Sequence, residues 1–390
     1  MSGRFDLASV VASARAKEVL TDFGPGPFEE PLGVLLDAYA AAPLHELGSR
    51  LLRGRVVHSL RMRLRANEWF RRHPEIADEQ VDDPVVVVGM MRSGTTLMQR
   101  LLACDPRFRC ALGWEVLEVA PALDLDWAAP DPRVARGEER EAQTRALLPD
   151  LFAIHPMHAH EAEEEIVFLA DAFLSHVPES GVAVPAYRQW IDGEDFTPAY
   201  DHLHRMLQLL QWQKRQRGES AQRWVLKTPA HLGYLDVLCA RFPGLHLVHL
   251  HRDPRETIPS GASLNTTLHR MHSDAVDPVR IGREWLQRMG WTNDRAMAVR
   301  DSWDPTRVTD VEFGEVVADP VGQAARVYDA IGLPLGPEQE AAMRHWLQAR
   351  PREAGRPAYT AEDYGLAPEQ IDERFAAYQE RFRAGAVRNP

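Results

Sequence analysis

The chain has 390 residues, a net charge of −12, 45% hydrophobic residues and 26% charged residues. That acidic balance excludes wholesale nucleic-acid binding, which needs a basic footprint, and no apolar run approaches the roughly 18 residues of a membrane span. Three cysteines (Cys104, Cys110, Cys239) make neither a disulfide framework nor a zinc spacing, so reduced buried thiols and a cytoplasmic setting are expected, in a chain long enough to bury a large core.

Residues 1–80 read as a helical region. Between Arg50 and Arg72 stand eight arginines and one acid, Glu68, while Leu51, Leu52, Val56, Leu60 and Leu64 form an apolar stripe. This is an amphipathic helix with a basic face, solvated or turned to an anionic partner. Composition shifts at Asp82-Asp83-Pro84, and residues 81–390 read as an α/β unit. Val85–Val88 is a β-branched apolar run, the mark of a buried parallel strand. A turn follows over Gly89–Ser93, then a helix over about Gly94–Ala103. Residues 121–137, rich in Pro, Asp and Ala, read as loop. Helices are predicted over about Ala162–Ser175 and Tyr200–Arg217. Arg223–Lys227, the helix marked by Leu232, Leu235, Cys239 and Phe242, and Leu245–His251 make a strand–helix–strand unit with parallel pairing. A helix over Val279–Arg300, a strand near Arg307–Val311, a helix over Asp319–Ile331, a Pro/Gly-rich stretch at 351–368 and a last helix over Ile371–Phe382 complete the pattern. The sum is a three-layer α/β core, with a parallel sheet flanked by helices and helical additions at both ends.

The strongest chemical signal is VVVVGMMRSGTTLMQRLL. Gly89 and Gly94 are five apart and Thr95-Thr96 follow. This is the frame of a phosphate-binding loop with its lysine replaced by Thr95. Glycines let the backbone curl, its N–H groups converge, and the helix N-terminus adds positive potential. Arg92 and the hydroxyls of Ser93, Thr95 and Thr96 add donors. The missing lysine, which reaches the β/γ-phosphates in nucleotide hydrolases, points to a different anion. The second signal is LHLVHLHRDPRETIPSGASL, where a strand delivers Arg252 to its C-terminal end and Ser260 follows in the next helix. That pair suits one phosphate held from two sides.

Together the two motifs resemble the sulfotransferase superfamily, in the branch with G-x-x-R-S-G-T-T that includes the tyrosylprotein sulfotransferases and many bacterial enzymes. The likeness runs from about Pro84 to Pro334. It implies a P-loop-like fold and the donor 3′-phosphoadenosine 5′-phosphosulfate (PAPS), with the bisphosphate PAP as product and no metal. Gly89, Arg92, Ser93, Gly94, Thr95 and Thr96 would hold the 5′ phosphosulfate, and Arg252 and Ser260 the 3′-phosphate. Lys227, in Lys-Thr-Pro, matches the lysine that assists the leaving group, with Arg92 beside it. Thr228 departs from the aspartate of the tyrosylprotein branch.

Glu115, in RCALGWEVLEV, stands where that branch has its catalytic glutamate, and apolar neighbours suit it to be the base. The rival is the run HPMHAHEAEEE, where His158 or His160 would serve as base, as a histidine does in cytosolic sulfotransferases. The run also reads as a loop feeding a helix whose glutamate-rich first turn suits the dipole. His246, His249 and His251 read as strand histidines with satisfied partners. The tail AYTAEDYGL is expected to close over the nucleotide.

The expected function is transfer of a sulfuryl group to the hydroxyl of a small-molecule acceptor, with a homo-oligomer left open. A kinase-like phosphotransferase using ATP and Mg²⁺, or an inactive nucleotide-binding protein, are the alternatives.

Overall fold

The structure is a computed structural model that describes residues 3–349 and 359–383. Five strands form one parallel sheet: β1 (Val85–Gly89), β2 (Phe108–Arg109), β3 (Arg223–Lys227), β4 (His246–His251) and β5 (Val308–Glu312). Their order is β2-β3-β1-β4-β5. The chain leaves β1 to build two strands on one side, then returns to build two on the other. β1 therefore borders a switch point, where ligands of open α/β sheets bind. Every residue of β1 and β4 is buried, and the edge strand β5 alternates.

Alternation along the strands divides the core in two. Val86, Val88, Leu226 and Leu247 face one layer, shared with the helices Leu7–Glu18, Glu29–Ala41, Glu46–Arg72 and Thr197–Gln216. Val85, Val87, Val225 and Val248 face the other, made by Thr95–Leu102 and Pro320–Ala330. The N-terminal helices thus share their apolar interior with one face of the sheet. Pro278–Arg300 joins the same layer through Trp285 and Met289.

Three expectations need correction. The basic face of Glu46–Arg72 is divided: Arg50, Arg55, Arg71 and Arg72 are exposed, and the other four arginines are used inside the molecule. Arg61 and Arg65 pair with Glu18, Arg53 donates to the Arg4 carbonyl, and buried Arg63 lies 5.0 Å from the Phe28 ring centre. The stretch read as loop ends early: Asp131 caps a helix over Pro132–Leu147, a polar one whose buried residues are only Arg133 and Gly137. Lacking an apolar stripe, it carries no periodic signal. The helix expected over Ala162–Ser175 shrinks to Ile166–Asp171. The residues before it are drawn out along 111–113, with Glu163 N–H donating to the Ala111 carbonyl and Leu112 bridging Ala162.

The tail is also placed. Part of the stretch 351–368 lies outside the described residues. From 359 on, the turn at Glu362–Tyr364 packs on Pro278–Arg300, where a Cβ on Gly282 would lie 2.3 Å from the Tyr364 carbonyl oxygen.

Candidate active site

Register brings the chemistry together. Gly89 lies opposite Leu250 on β4, and Val87 opposite Lys227 on β3. The loop after β1, Lys227 at the end of β3 and Arg252 just past β4 therefore meet at one edge of the sheet. A Cβ on Gly89 would lie 2.7 Å from the Leu250 carbonyl oxygen, so only glycine lets the loop leave β1 beside β4. Gly94 has φ +93° and its missing Cβ would approach the Phe313 ring to 2.9 Å. Arg92, not a glycine, also sits at φ +74°, a strained conformation. Neighbours hold it there. The Arg252 guanidinium donates to the Arg92 carbonyl (2.7 Å), and the Arg92 guanidinium donates to the Ile154 carbonyl (2.9 Å). Ser93 hydroxyl and amide both donate to the Met90 carbonyl. The first bond of the following helix runs from Met98 N–H to the Gly94 carbonyl. The amides of Thr95 and Thr96 precede it and have no intrahelical acceptor, which suits an anion.

Lys227 supplies from β3 the lysine that the loop lacks. Its side chain is 1% exposed. Its ammonium donates to Thr96 Oγ1 (3.1 Å) and to Glu164 (2.5 Å). Burial pushes the Glu164 carboxyl up, but Lys227 and His155 outweigh burial and hold it below the usual range. A buried relay fixes this lysine. Tyr200 hydroxyl meets His231 Nδ1 (2.9 Å), His231 Nε2 meets Glu165 (2.8 Å), and the other Glu165 oxygen accepts the Lys227 N–H (3.0 Å). Burial raises the Tyr200 phenol well above its ordinary value, so it keeps its proton.

Arg252 stacks on Phe313, 4.1 Å from the ring centre, and pairs with Glu256. Ser260 is buried about one turn beyond Glu256 on the helix Pro254–Arg270.

The geometry does not bring Glu115 to this cluster. One carboxylate oxygen accepts the Leu112 N–H (2.8 Å) and the other pairs with buried Lys214 (2.9 Å). It caps and pins a short helix. His158 and His160 turn instead to the helix Pro132–Leu147, bonding Glu141 and Glu138 at 2.8 Å. The carboxylate that reaches the Lys227 ammonium is Glu164, with Glu165 and His231 behind Lys227. The sequence held a signal for them, the acidic run 163–165 and the histidine four residues after Lys227, but not the non-helical path that sends Glu163 and Glu164 to different partners. Glu163 faces Arg100 (3.7 Å) on the other side.

Among the described residues, His249, His251 and Asp310 are the one histidine, cysteine and carboxylate group compact enough for a metal ion. The Arg300 guanidinium already donates to Asp310 (2.6 and 2.9 Å) and meets His249 Nδ1 (3.0 Å). A fixed cation among the ligand atoms does not fit a metal.

Beside Lys227 opens a cavity of about 720 Å³ of non-atom space, part of it open to solvent. Its near wall is Met91, Ile166, Pro229 and Ala230. These follow or flank the loop, Glu165 and Lys227-Thr228. Its far wall includes Tyr234, Trp285, Met289 and Trp291. Some polar groups there satisfy one another: Glu179 pairs with Arg288 (2.8 Å) and His176 (2.7 Å), and His176 meets the Tyr234 hydroxyl (2.6 Å), while Trp285 Nε1 and Asn265 Oδ1 are buried without a partner.

Residues 84–337 match the sulfotransferase family. The omega-hydroxy-beta-dihydromenaquinone-9 sulfotransferases Stf3 of Mycobacterium bovis and Mycobacterium tuberculosis are 27% identical over 267 residues, 65% of this chain and 63% of their own length. The crystal structure of sulfotransferase STF1 of Mycobacterium tuberculosis H37Rv has 31% identity and a TM-score of 0.84, covering 95% of this chain and 98% of that one. That of sulfotransferase STF9 of Mycobacterium avium has 26% identity and a TM-score of 0.86, covering 96% of each. No helix of the described residues is long and apolar enough to cross a membrane.

Proposed function

Because the chain belongs to the sulfotransferase family, we propose that it moves a sulfuryl group from PAPS to the hydroxyl of a small, lipid-like acceptor bound in the cavity beside Lys227. One observation carries this reading. A single buried ammonium bridges Thr96 of the anion loop and the Glu164 carboxylate, and chain neighbours of all three, Met91, Ile166 and Pro229, line the adjoining cavity. The curated relatives' names give an omega-hydroxy-dihydromenaquinone as their acceptor, which supports a lipid-like alcohol here.

The bound donor supplies an activated sulfate whose bridging oxygen gains charge as the bond to sulfur breaks. This chain's residues hold that charge. The loop amides, Thr95 and Thr96 cradle the 5′-phosphate, and Lys227 and Arg92 face its leaving oxygen. Glu164 takes the acceptor proton as the acceptor oxygen attacks sulfur in line. The S–O bond to phosphate breaks, and its electron pair leaves with the bisphosphate. Before the attack, Lys227 lowers the basicity of Glu164. As the ammonium turns to the leaving oxygen, that restraint weakens and the carboxylate becomes a better base. Arg252 and Ser260 select the donor by its 3′-phosphate, and binding energy from that remote group orients the reacting sulfate. In a phosphotransferase, the Thr96 hydroxyl would hold Mg²⁺. Here the Lys227 ammonium takes that hydroxyl, which favours sulfuryl over phosphoryl transfer.

The test is turnover with ³⁵S-labelled PAPS and a panel of alcohols. Label in a sulfate ester, lost in Glu164→Gln, is expected. Transfer from ATP·Mg²⁺ in place of PAPS would overturn the reading.

A further inference from the structure

The cavity beside Lys227 shares walls with another. Val177 and Ser180 line it, and the same two residues line a second cavity of about 710 Å³ of non-atom space, part of it likewise open to solvent. Both shared residues belong to the helix Val177–Gly181. It is five residues long and none of them is fully buried. The second cavity is walled by Leu35 and Tyr39 of Glu29–Ala41, Leu52 and Val56 of Glu46–Arg72, and Phe173 and Leu268. Its lining is mostly apolar, and two of its polar groups are already bonded. The Tyr187 hydroxyl donates to the Phe173 and Ser175 carbonyls (3.0 and 2.9 Å), and His272 Nδ1 lies within bonding reach of the Gly181 and Leu268 carbonyls. A space of this kind recognises apolar length rather than a polar head. Its one exposed cation, Arg55, lies at the rim.

We propose that the two cavities are one acceptor channel and that the acceptor is a long-chain alcohol of isoprenoid or alkyl type. This rests on the sulfotransfer reading above. The hydroxyl sits at Lys227 and Glu164. The chain passes the aromatic wall of the first cavity, crosses Val177 and Ser180, and ends among the N-terminal helices. The N-terminal region thereby measures the acceptor rather than serving only as packing. Each methylene that enters the second chamber adds about fourfold in apparent affinity.

The test compares kcat/KM for 1-hexanol, geraniol, farnesol and geranylgeraniol with labelled PAPS, on the full chain, beside calorimetry of PAP. The expected result is a rise along the series that continues past geraniol. Leu35→Trp, which fills the second chamber, and Val177→Trp, which closes the passage, each lower the geranylgeraniol-to-hexanol ratio at least tenfold. PAP affinity within twofold of the parent reports an intact fold in both variants. A series that levels off at geraniol, or a ratio unmoved in both variants, overturns the channel while short-alcohol turnover leaves sulfotransfer standing. No ester with any alcohol together with no PAP binding overturns the reading beneath it, and the channel with it.

Discussion

Replacing Lys227 by methionine separates charge from packing at the heart of the site. Methionine keeps the apolar stem but removes the ammonium that Thr96 and Glu164 share. Two costs follow, on different readouts. The first is catalytic. Losing one cation aimed at a leaving oxygen in a water-poor site costs roughly 3–4 kcal/mol, or a 10²–10³-fold fall in kcat. The second is structural. Glu164 would be left as a buried carboxylate without its partner, and breaking such a pair costs about 3–5 kcal/mol. Its side chain is 14% exposed, so some water reaches it and the low end applies. The double variant Lys227→Met, Glu164→Gln removes both charges and regains most of the stability. It regains none of the rate, because base and cation are both gone. Urea unfolding and single-turnover transfer of ³⁵S report the two quantities separately. A single variant within tenfold of the parent kcat, or a double variant whose rate recovers along with its stability, would refute a chemical role for Lys227.

Further outcomes follow from the same geometry. Gly94→Ala places a Cβ at φ +93° against Phe313, which costs about 1–2 kcal/mol for the backbone alone; PAP binding by calorimetry should weaken at least tenfold, and unchanged affinity would contradict the loop assignment. Glu256 pairs with Arg252 and competes with an incoming 3′-phosphate, so Glu256→Gln should tighten PAP severalfold and leave 5′-AMP unaffected; equal effects on both ligands would remove Arg252 from 3′-phosphate recognition. Burial brings His204, His246 and His269 down to about 4. They fold neutral, so the unfolded chain binds more protons and stability drops as pH falls from about 6.5 to about 4. Urea midpoints at pH 7.5, 6 and 5 should decline, less steeply in His246→Gln, and a flat profile would refute this.

The sheet was legible because its strands carry the signals that parallel, doubly covered strands must carry. Val85–Val88 has no polar residue to expose, and Arg223–Lys227 emerges with the bounds expected. The loop was legible because glycine spacing is a backbone requirement, met at Gly89 and Gly94 by close approach and positive φ. The carboxylate was not. Glu164 reaches Lys227 only because residues 161–165 leave the helical path to pair with 111–113, and that choice is made by tertiary contacts far apart in the chain. Glu115 had an apolar setting in sequence, but its partner Lys214 is 99 positions away and no local pattern announces it. Pro132–Leu147 was hidden for a different reason: its faces are polar all round, stabilised by pairs such as Arg133 with Asp131.

The most direct test is calorimetric titration of the metal-free protein with PAP, beside 5′-AMP, ATP and ATP·Mg²⁺. The account predicts that PAP binds at least 100-fold more tightly than 5′-AMP, and that Arg252→Ala abolishes the preference, lowering PAP affinity far more than 5′-AMP affinity. Tighter binding of ATP·Mg²⁺ than of PAP would contradict it.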